Sequence, residues 1–259
     1  RRAWTHLGRQ RGGGVTQRGE GEAQIELDQR MLRDKIASTK REITQVSKRR
    51  STSRKKRQRI PLRTLAIVGY TNAGKSTLLN CMTGSDVLSE DKLFATLDPT
   101  SRKVRLPNGR TVVLTDTVGF IRKLPHQLVE SFKSTLDEVR EADFIIHLVD
   151  ISNRNFDDHI NVVNNTIVEI GADNKPTLLV FNKIDAYTFI EKEKDDLTPL
   201  TEENLSLIDF QKTWMSKLGN NAMFISALNK IHFDELKKIM YSKIKKLHEK
   251  RYPYNNFLY

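Results

Sequence analysis

The 259-residue sequence predicts an α/β fold with a mostly parallel sheet, preceded by a helical segment of coiled-coil character. Three observations predict it. Short apolar runs at 65–68, 144–149, 177–181 and 222–225 have the length and composition of strands buried on both faces. Helical patterns at 124–140, 156–170, 202–218 and 233–251 alternate with them, the order of β-α-β units. Ahead of these, Leu32, Ile36, Thr39, Ile43 and Val46 recur at spacings of four and three, a coiled-coil stripe.

Charge divides the chain at the same place. Residues 1–63 hold 19 Lys and Arg against 6 Asp and Glu, whereas residues 64–259 hold 25 against 26. A basic excess confined to one end is the electrostatic footprint of a nucleic-acid partner. No stretch approaches the roughly 18 apolar residues of a membrane span. The single cysteine, Cys81, cannot form an internal disulfide and reads as a small core residue.

Taken in order, residues 1–10 look like the last turns of a helix ended by Gly8, and residues 11–21 like a Gly-rich loop carrying Arg11 and Arg18. Glu22, Glu26 and Asp28 suit a helix N-terminus. The striped helix then needs a partner, and the natural one is the helix ending at Leu7, folded back as a hairpin. The run 48–63 is densely basic, ends at Pro61–Arg63 and marks a domain boundary. The expected division is 1–58 for the basic helical linker, 59–251 for the α/β domain and 252–259 for an aromatic tail. Residues 85–99 are polar and irregular. Two alternating runs, 103–106 and 111–115, flank Pro107, Asn108, Gly109 and Arg110, a strong hairpin signal. His147, inside an apolar run, reads as a packed core residue. Residues 187–205 read as a surface loop. The last helix packs Leu236, Ile239, Met240, Ile244 and Leu247 on the sheet.

Chemistry enters where the first apolar run turns into a helix. Gly69, Tyr70, Thr71, Asn72, Ala73, Gly74, Lys75 and Ser76 match G-x-x-x-x-G-K-[ST], with Thr77 continuing into helix formers. Such a loop wraps backbone N–H groups around a polyphosphate, and the helix dipole adds to the field. Gly69 and Gly74 permit close approach, Lys75 reaches the β- and γ-phosphates, and the Ser76 hydroxyl faces Mg²⁺. Downstream, Asp116 of Asp116-Thr117-Val118-Gly119 can hold Mg²⁺ through water, and the Gly119 amide can sense the γ-phosphate. Asn182, Lys183 and Asp185 follow the third apolar run. Asp185 can accept from guanine N1–H and its 2-amino group together, a match that adenine breaks. Ser226, Ala227 and Leu228 can offer a backbone N–H to the guanine oxygen. Thr96 is the candidate to complete Mg²⁺ coordination, with Thr100 behind it. The ordered set predicts a GTP/GDP site whose catalytic members are Lys75, Thr96 and Gly119 and whose metal-side members are Ser76, Thr96 and Asp116.

With these residues in hand, the domain resembles translation-factor-related P-loop GTPases, and more specifically the HflX family. Trp4 to Leu7, the Gly-rich loop with Arg18 to Gly21, and Gln24 to Asp28 are similar to the family's linker signature. Residues 93–100 and 116–121 resemble its switch segments. Glu20 and Ala23 depart from the family's usual Pro and Thr, which touches the loop's stiffness. The resemblance implies a further N-terminal domain upstream of Arg1, so residues 1–10 read as mid-protein and not as a targeting peptide. It also implies a monomeric cytoplasmic protein of bacterial or organellar origin. In the GTP state it would bind the large ribosomal subunit through rRNA and split stalled or idle 70S ribosomes. Arg11, Arg18 and the 48–63 run are the expected rRNA contacts. Phe120 stands where many GTPases carry a water-orienting Gln, so slow intrinsic hydrolysis and a macromolecular activator are expected. The competing readings are a non-enzymatic scaffold using the coiled-coil seam and a GTPase working at a membrane surface.

Overall fold

The structure is a computed structural model that describes residues 20–58, 62–84, 100–120, 136–191 and 204–251. It divides into two compact units between Lys56 and Arg57. Thr96, the Gly-rich loop up to Gly19, residues 124–135 of the helix predicted over 124–140 and the 252–259 tail lie outside the described residues.

The described residues of the N-terminal unit lie in α1 (Glu20–Gln58), whose last two residues fall past the unit boundary. One expectation changes here. Glu20 and Gly21 belong to the helix and not to the loop before it. The helix also continues through most of the basic run, because Lys, Arg and Gln are good helix formers and nothing before Pro61 breaks the turn. On the predicted seam Leu32 is 60% and Ile36 55% exposed, and Leu27 and Met31 are exposed as well.

The second unit holds a six-stranded sheet in the order β2-β3-β1-β4-β5-β6. Its strands are β1 (Thr64–Gly69), β2 (Thr100–Arg105), β3 (Thr111–Asp116), β4 (Phe144–Asp150), β5 (Thr177–Asn182) and β6 (Ala222–Phe224). Only the β2–β3 pair is antiparallel; the rest run parallel. The hairpin expected at Asn108–Gly109 is present, but its turn is a three-residue 3₁₀ element (Pro107–Gly109) closed by Leu106 N–H donating to the Arg110 carbonyl at 2.7 Å. The helices are α2 (Lys75–Thr83), α3 (Phe156–Glu169), α4 (Leu207–Leu218) and α5 (Phe233–Arg251), and residues 136–141, at the end of the helix expected over 124–140, are helical as well. The α4 start differs from the expected 202. Ser206 takes the Asp209 N–H on its hydroxyl at 3.3 Å and caps the helix there.

Alternation along β1 shows both sheet faces covered. Leu65 and Ile67 join the cluster of α2 and α5, where Leu236, Met240 and Ile244 are buried. Ala66 and Val68 face the other way, onto Val163 and Ile167 of α3. A third cluster stacks Phe181 on Phe224 with Phe156, Phe210 and Trp214 around them. Tyr187 adds its ring there and donates its hydroxyl to the Leu205 carbonyl at 2.9 Å, so both ends of the 187–205 segment are pinned. His147 is 1% exposed among β4's apolar neighbours, and burial lowers its pKa to about 3.

Parallel alignment has one consequence for chemistry. Ile67 pairs with Asp116, Gly69 with Leu148, and Asp150 with Asn182. The carboxyl ends of β1, β3, β4 and β5 therefore lie along one rim, where ligands of such sheets gather. The opposite rim is anchored instead: Arg63, 7% exposed, donates to Asp143 at 3.1 Å, and Asp143 also accepts the Thr64 N–H at 3.0 Å.

Candidate functional site

At the rim, β1 runs into the loop 69–74. A Cβ on Gly69 would strike the Leu148 carbonyl oxygen of β4, so the strand can only pass there as glycine. The loop then turns through Asn72 (φ 60°) and Gly74 (φ 89°) into α2. A Cβ on Gly74 would lie 2.5 Å from Asn182 Nδ2. Its left-handed φ adds strain for any other residue. No acid occupies the first turn of α2 and no side chain caps it, so its positive end faces the loop uncompensated.

Two polar side chains at the end of this loop, Lys75 and Ser76, are each held by an internal acceptor. Lys75 is 7% exposed and donates to the Tyr70 carbonyl at 2.8 Å. Its burial lowers the pKa to about 8, partly opposed by the charge of Asp116. Ser76 donates its hydroxyl to Asp116 Oδ2 at 2.6 Å. Beyond Asp116, Thr117 donates to the Ile67 carbonyl at 2.7 Å and keeps this segment against β1. Phe120 N–H reaches the Gly69 carbonyl at 3.1 Å, and Thr71 N–H reaches the Phe120 carbonyl at 3.0 Å. Gly119 is thereby drawn in so closely that a Cβ on it would sit 2.8 Å from Thr71 Cγ2 and 3.1 Å from Lys75 Nζ. Phe120 is 2% exposed, packed with Ala66, Val68 and Ile145. Thr77 continues α2, and Thr100, the alternative to Thr96, lies exposed opposite Asp116 in the β2–β3 register.

The second half of the site is built around Asn182, 1% exposed. Its amide donates to the Ala73 carbonyl at 2.9 Å and its oxygen accepts from the Ala227 N–H at 2.9 Å. One side chain thus joins the first motif to the last. Ala227 in turn accepts on its carbonyl from Cys81 Sγ of α2 at 3.3 Å. Ser226 is fully buried and takes the Asn229 N–H on its hydroxyl, which shapes the turn that leaves Leu228 74% exposed. Asp185 lies in a short 3₁₀ turn (Ile184–Ala186) with its carboxylate exposed.

Sequence reasoning missed two features. Lys183 donates to Asp150 Oδ2 at 2.7 Å, and Asp150 Oδ1 accepts from both the N–H and the hydroxyl of Ser152. An acid at the carboxyl end of an apolar strand was the available signal. The Tyr70 ring also stacks on His159 of α3, with centroids 3.8 Å apart and planes 6° from parallel, and nothing in the sequence announces that pair. Among the described residues no group of three or more His, Cys, Asp or Glu gathers as a metal cluster, and no helix is long and apolar enough to cross a membrane.

A family model described as a 50S ribosome-binding GTPase matches residues 64–183, and one described as the GTP-binding GTPase middle region matches residues 1–57. The chain is 52% identical over 258 residues to the GTPase HflX of Flavobacterium psychrophilum, covering 99% of this chain and 62% of that protein. It is 46% identical over 194 residues to the GTPase HflX of Escherichia coli K12, covering 75% of this chain and 45% of that one. The chain thus spans less than two thirds of these curated relatives. Among solved structures, a GTP-binding protein from Sulfolobus solfataricus in complex with GDP superposes with a TM-score of 0.55 at 26% identity, over 88% of this chain and 64% of that chain. Era in complex with MgGDPNP and nucleotides 1506–1542 of 16S ribosomal RNA gives 0.50 at 28%, over 70% and 56%.

Proposed function

The chain belongs to the HflX family of GTPases, and from that premise we propose that it binds and hydrolyses GTP and that the bound nucleotide governs its association with the large ribosomal subunit. The observation that carries the reading is the Asn182 bridge, which sets the Lys75 loop and the Ser226–Leu228 turn as two walls of one cleft.

In this reading the N–H groups of residues 70–76 and the positive end of α2 receive the phosphates. Lys75 exchanges the Tyr70 carbonyl for β- and γ-phosphate oxygens. Ser76 and Asp116 present two hard oxygens 2.6 Å apart, a donor set that suits Mg²⁺, which supplies charge neutralisation for phosphoryl transfer when bound. Thr96 would join them. Asp185 reads guanine by accepting two N–H groups at once, and with the Ala227 N–H engaged by Asn182 the Leu228 N–H is the one left to meet the guanine oxygen. Gly119 follows the γ-phosphate with its amide. The buried Phe120 ring has no group with which to orient water, so the chain's own hydrolysis is slow and a macromolecular surface completes the site.

The nucleotide-dependent partner is ribosomal RNA of the large subunit, engaged through the basic N-terminal segment, with splitting of stalled or idle ribosomes as the outcome. Support comes from the confinement of the basic excess to residues 1–63 and from the description of the family matched over residues 64–183. Co-sedimentation with purified large subunits tests this. Pelleting with a non-hydrolysable GTP analogue and release with GDP is the expected result; equal pelleting in both states would refute it.

A further inference from the structure

Lys183 sits in a left-handed conformation (φ 65°, ψ 37°), which costs a non-glycine residue about 1 kcal/mol. Something must define where its long side chain goes. The neighbouring strand does so. Asp150, the last residue of β4, is the register partner of Asn182, and Ile151 N–H donates to the Asn182 carbonyl at 3.1 Å. The Asp150 carboxylate is fixed before lysine reaches it, because Oδ1 accepts the Ser152 N–H at 3.0 Å and the Ser152 hydroxyl at 2.6 Å. Oδ2 then takes the Lys183 ammonium at 2.7 Å, with the two side chains 14% and 29% exposed. Exposed ion pairs contribute little, since both ends must be ordered and salt screens them. Here one end is already ordered and the pair is largely shielded.

The consequence falls on Asp185, two residues along. Its carboxylate is exposed and makes no ion pair among the described residues. A lysine ammonium released from Asp150 would be a counter-charge only two residues away in the same turn, able to swing over the oxygens that meet the base. We propose that Asp150 is a positioning residue for guanine recognition. It acts through Lys183, holding the ammonium away from Asp185 and the apolar lysine stem as a fixed wall of the base pocket. This rests on the guanine reading above.

The test is release of fluorescent mant-GDP from the full chain by stopped flow. Asp150→Asn is expected to raise the off-rate about tenfold and Ser152→Ala about threefold, with Asp150→Glu between them and wild type. Lys183→Met raises it about tenfold. The double variant Asp150→Asn with Lys183→Met is expected to match Lys183→Met alone, whereas independent effects would multiply to about a hundredfold. An off-rate within twofold of wild type in Asp150→Asn, or multiplicative behaviour in the double variant, overturns the proposal. Should Asp150→Asn fail to fold, an unchanged off-rate in Ser152→Ala does so. Wild-type chain that releases mant-GDP and mant-ADP equally fast would remove the guanine reading itself, and this inference with it.

Discussion

The two halves of the cleft are prepared differently. In the phosphate half, the groups that would touch ligand are engaged with the protein itself: Lys75 with the Tyr70 carbonyl and Ser76 with Asp116. In the proposed reading a polyphosphate displaces the first of these contacts, while the second pair would hold Mg²⁺ together. In the base half, Asn182 and Lys183 are bonded to Ala73, Ala227 and Asp150, contacts that the proposed reading leaves in place when a base binds. The difference teaches where conformational change is stored. On the proposed function the base half acts as a frame, and the phosphate half holds the Lys75 bond that trades its partner, as a nucleotide switch requires.

The largest predicted effect comes from cutting the tie between halves. Asn182→Ala leaves the Ala73 carbonyl and the Ala227 N–H buried without their partner, each costing about 1–3 kcal/mol. A loss of about 3 kcal/mol, a melting point lower by about 10 °C, and weakened binding of both GTP and GDP are expected from thermal melts and mant-nucleotide titration. Lys75→Met separates the halves by sign. It removes a desolvated buried ammonium, so thermal stability is expected to stay level or rise, while GTP affinity falls by about 30- to 100-fold. A variant in which stability and affinity fall together would show that Lys75 holds the fold as well as the ligand.

Much of this frame was legible in the residues. The apolar runs of β1, β4 and β5 read as buried strands, and the structure places the motifs that follow them at the carboxyl ends of parallel strands. What stayed hidden depends on register or on tertiary contact. The Asp150–Lys183 pair needs Asp150 opposite Asn182, which no local pattern encodes. The Tyr70–His159 stack joins a loop to a helix about ninety positions away. The α4 start differs from the expected 202 because the Ser206 cap sets it, a bond to the Asp209 N–H that the apolar pattern does not encode. Conversely, the reading of His147 as core agrees with the structure.

His147 supplies the next test, since it lies on β4 beside Val68 and Leu179, between the two halves. Its folded pKa, lowered to about 3, is below the ordinary 6.5, so the unfolded chain takes up the proton first. Its neutral burial is fully favourable above pH 6.5, and stability is lost as pH falls through the window from 6.5 toward 3. Chemical denaturation of wild type and His147→Leu should differ by a constant amount above pH 7. Below 6.5 the gap should move in favour of the variant by up to about 1.4 kcal/mol per pH unit. The smallest expected effect is at Cys81, whose S–H is a weak donor to Ala227. Cys81→Ala should change stability by less than about 1 kcal/mol and the GDP off-rate by less than about twofold. A larger change would mean that α2 helps frame the base.

The most direct test of the account is calorimetric titration of the nucleotide-free chain with GDP and then ADP. A preformed base half that offers Asp185 to two guanine donors predicts GDP binding at least about a thousandfold tighter than ADP. Comparable affinities for the two nucleotides would contradict it.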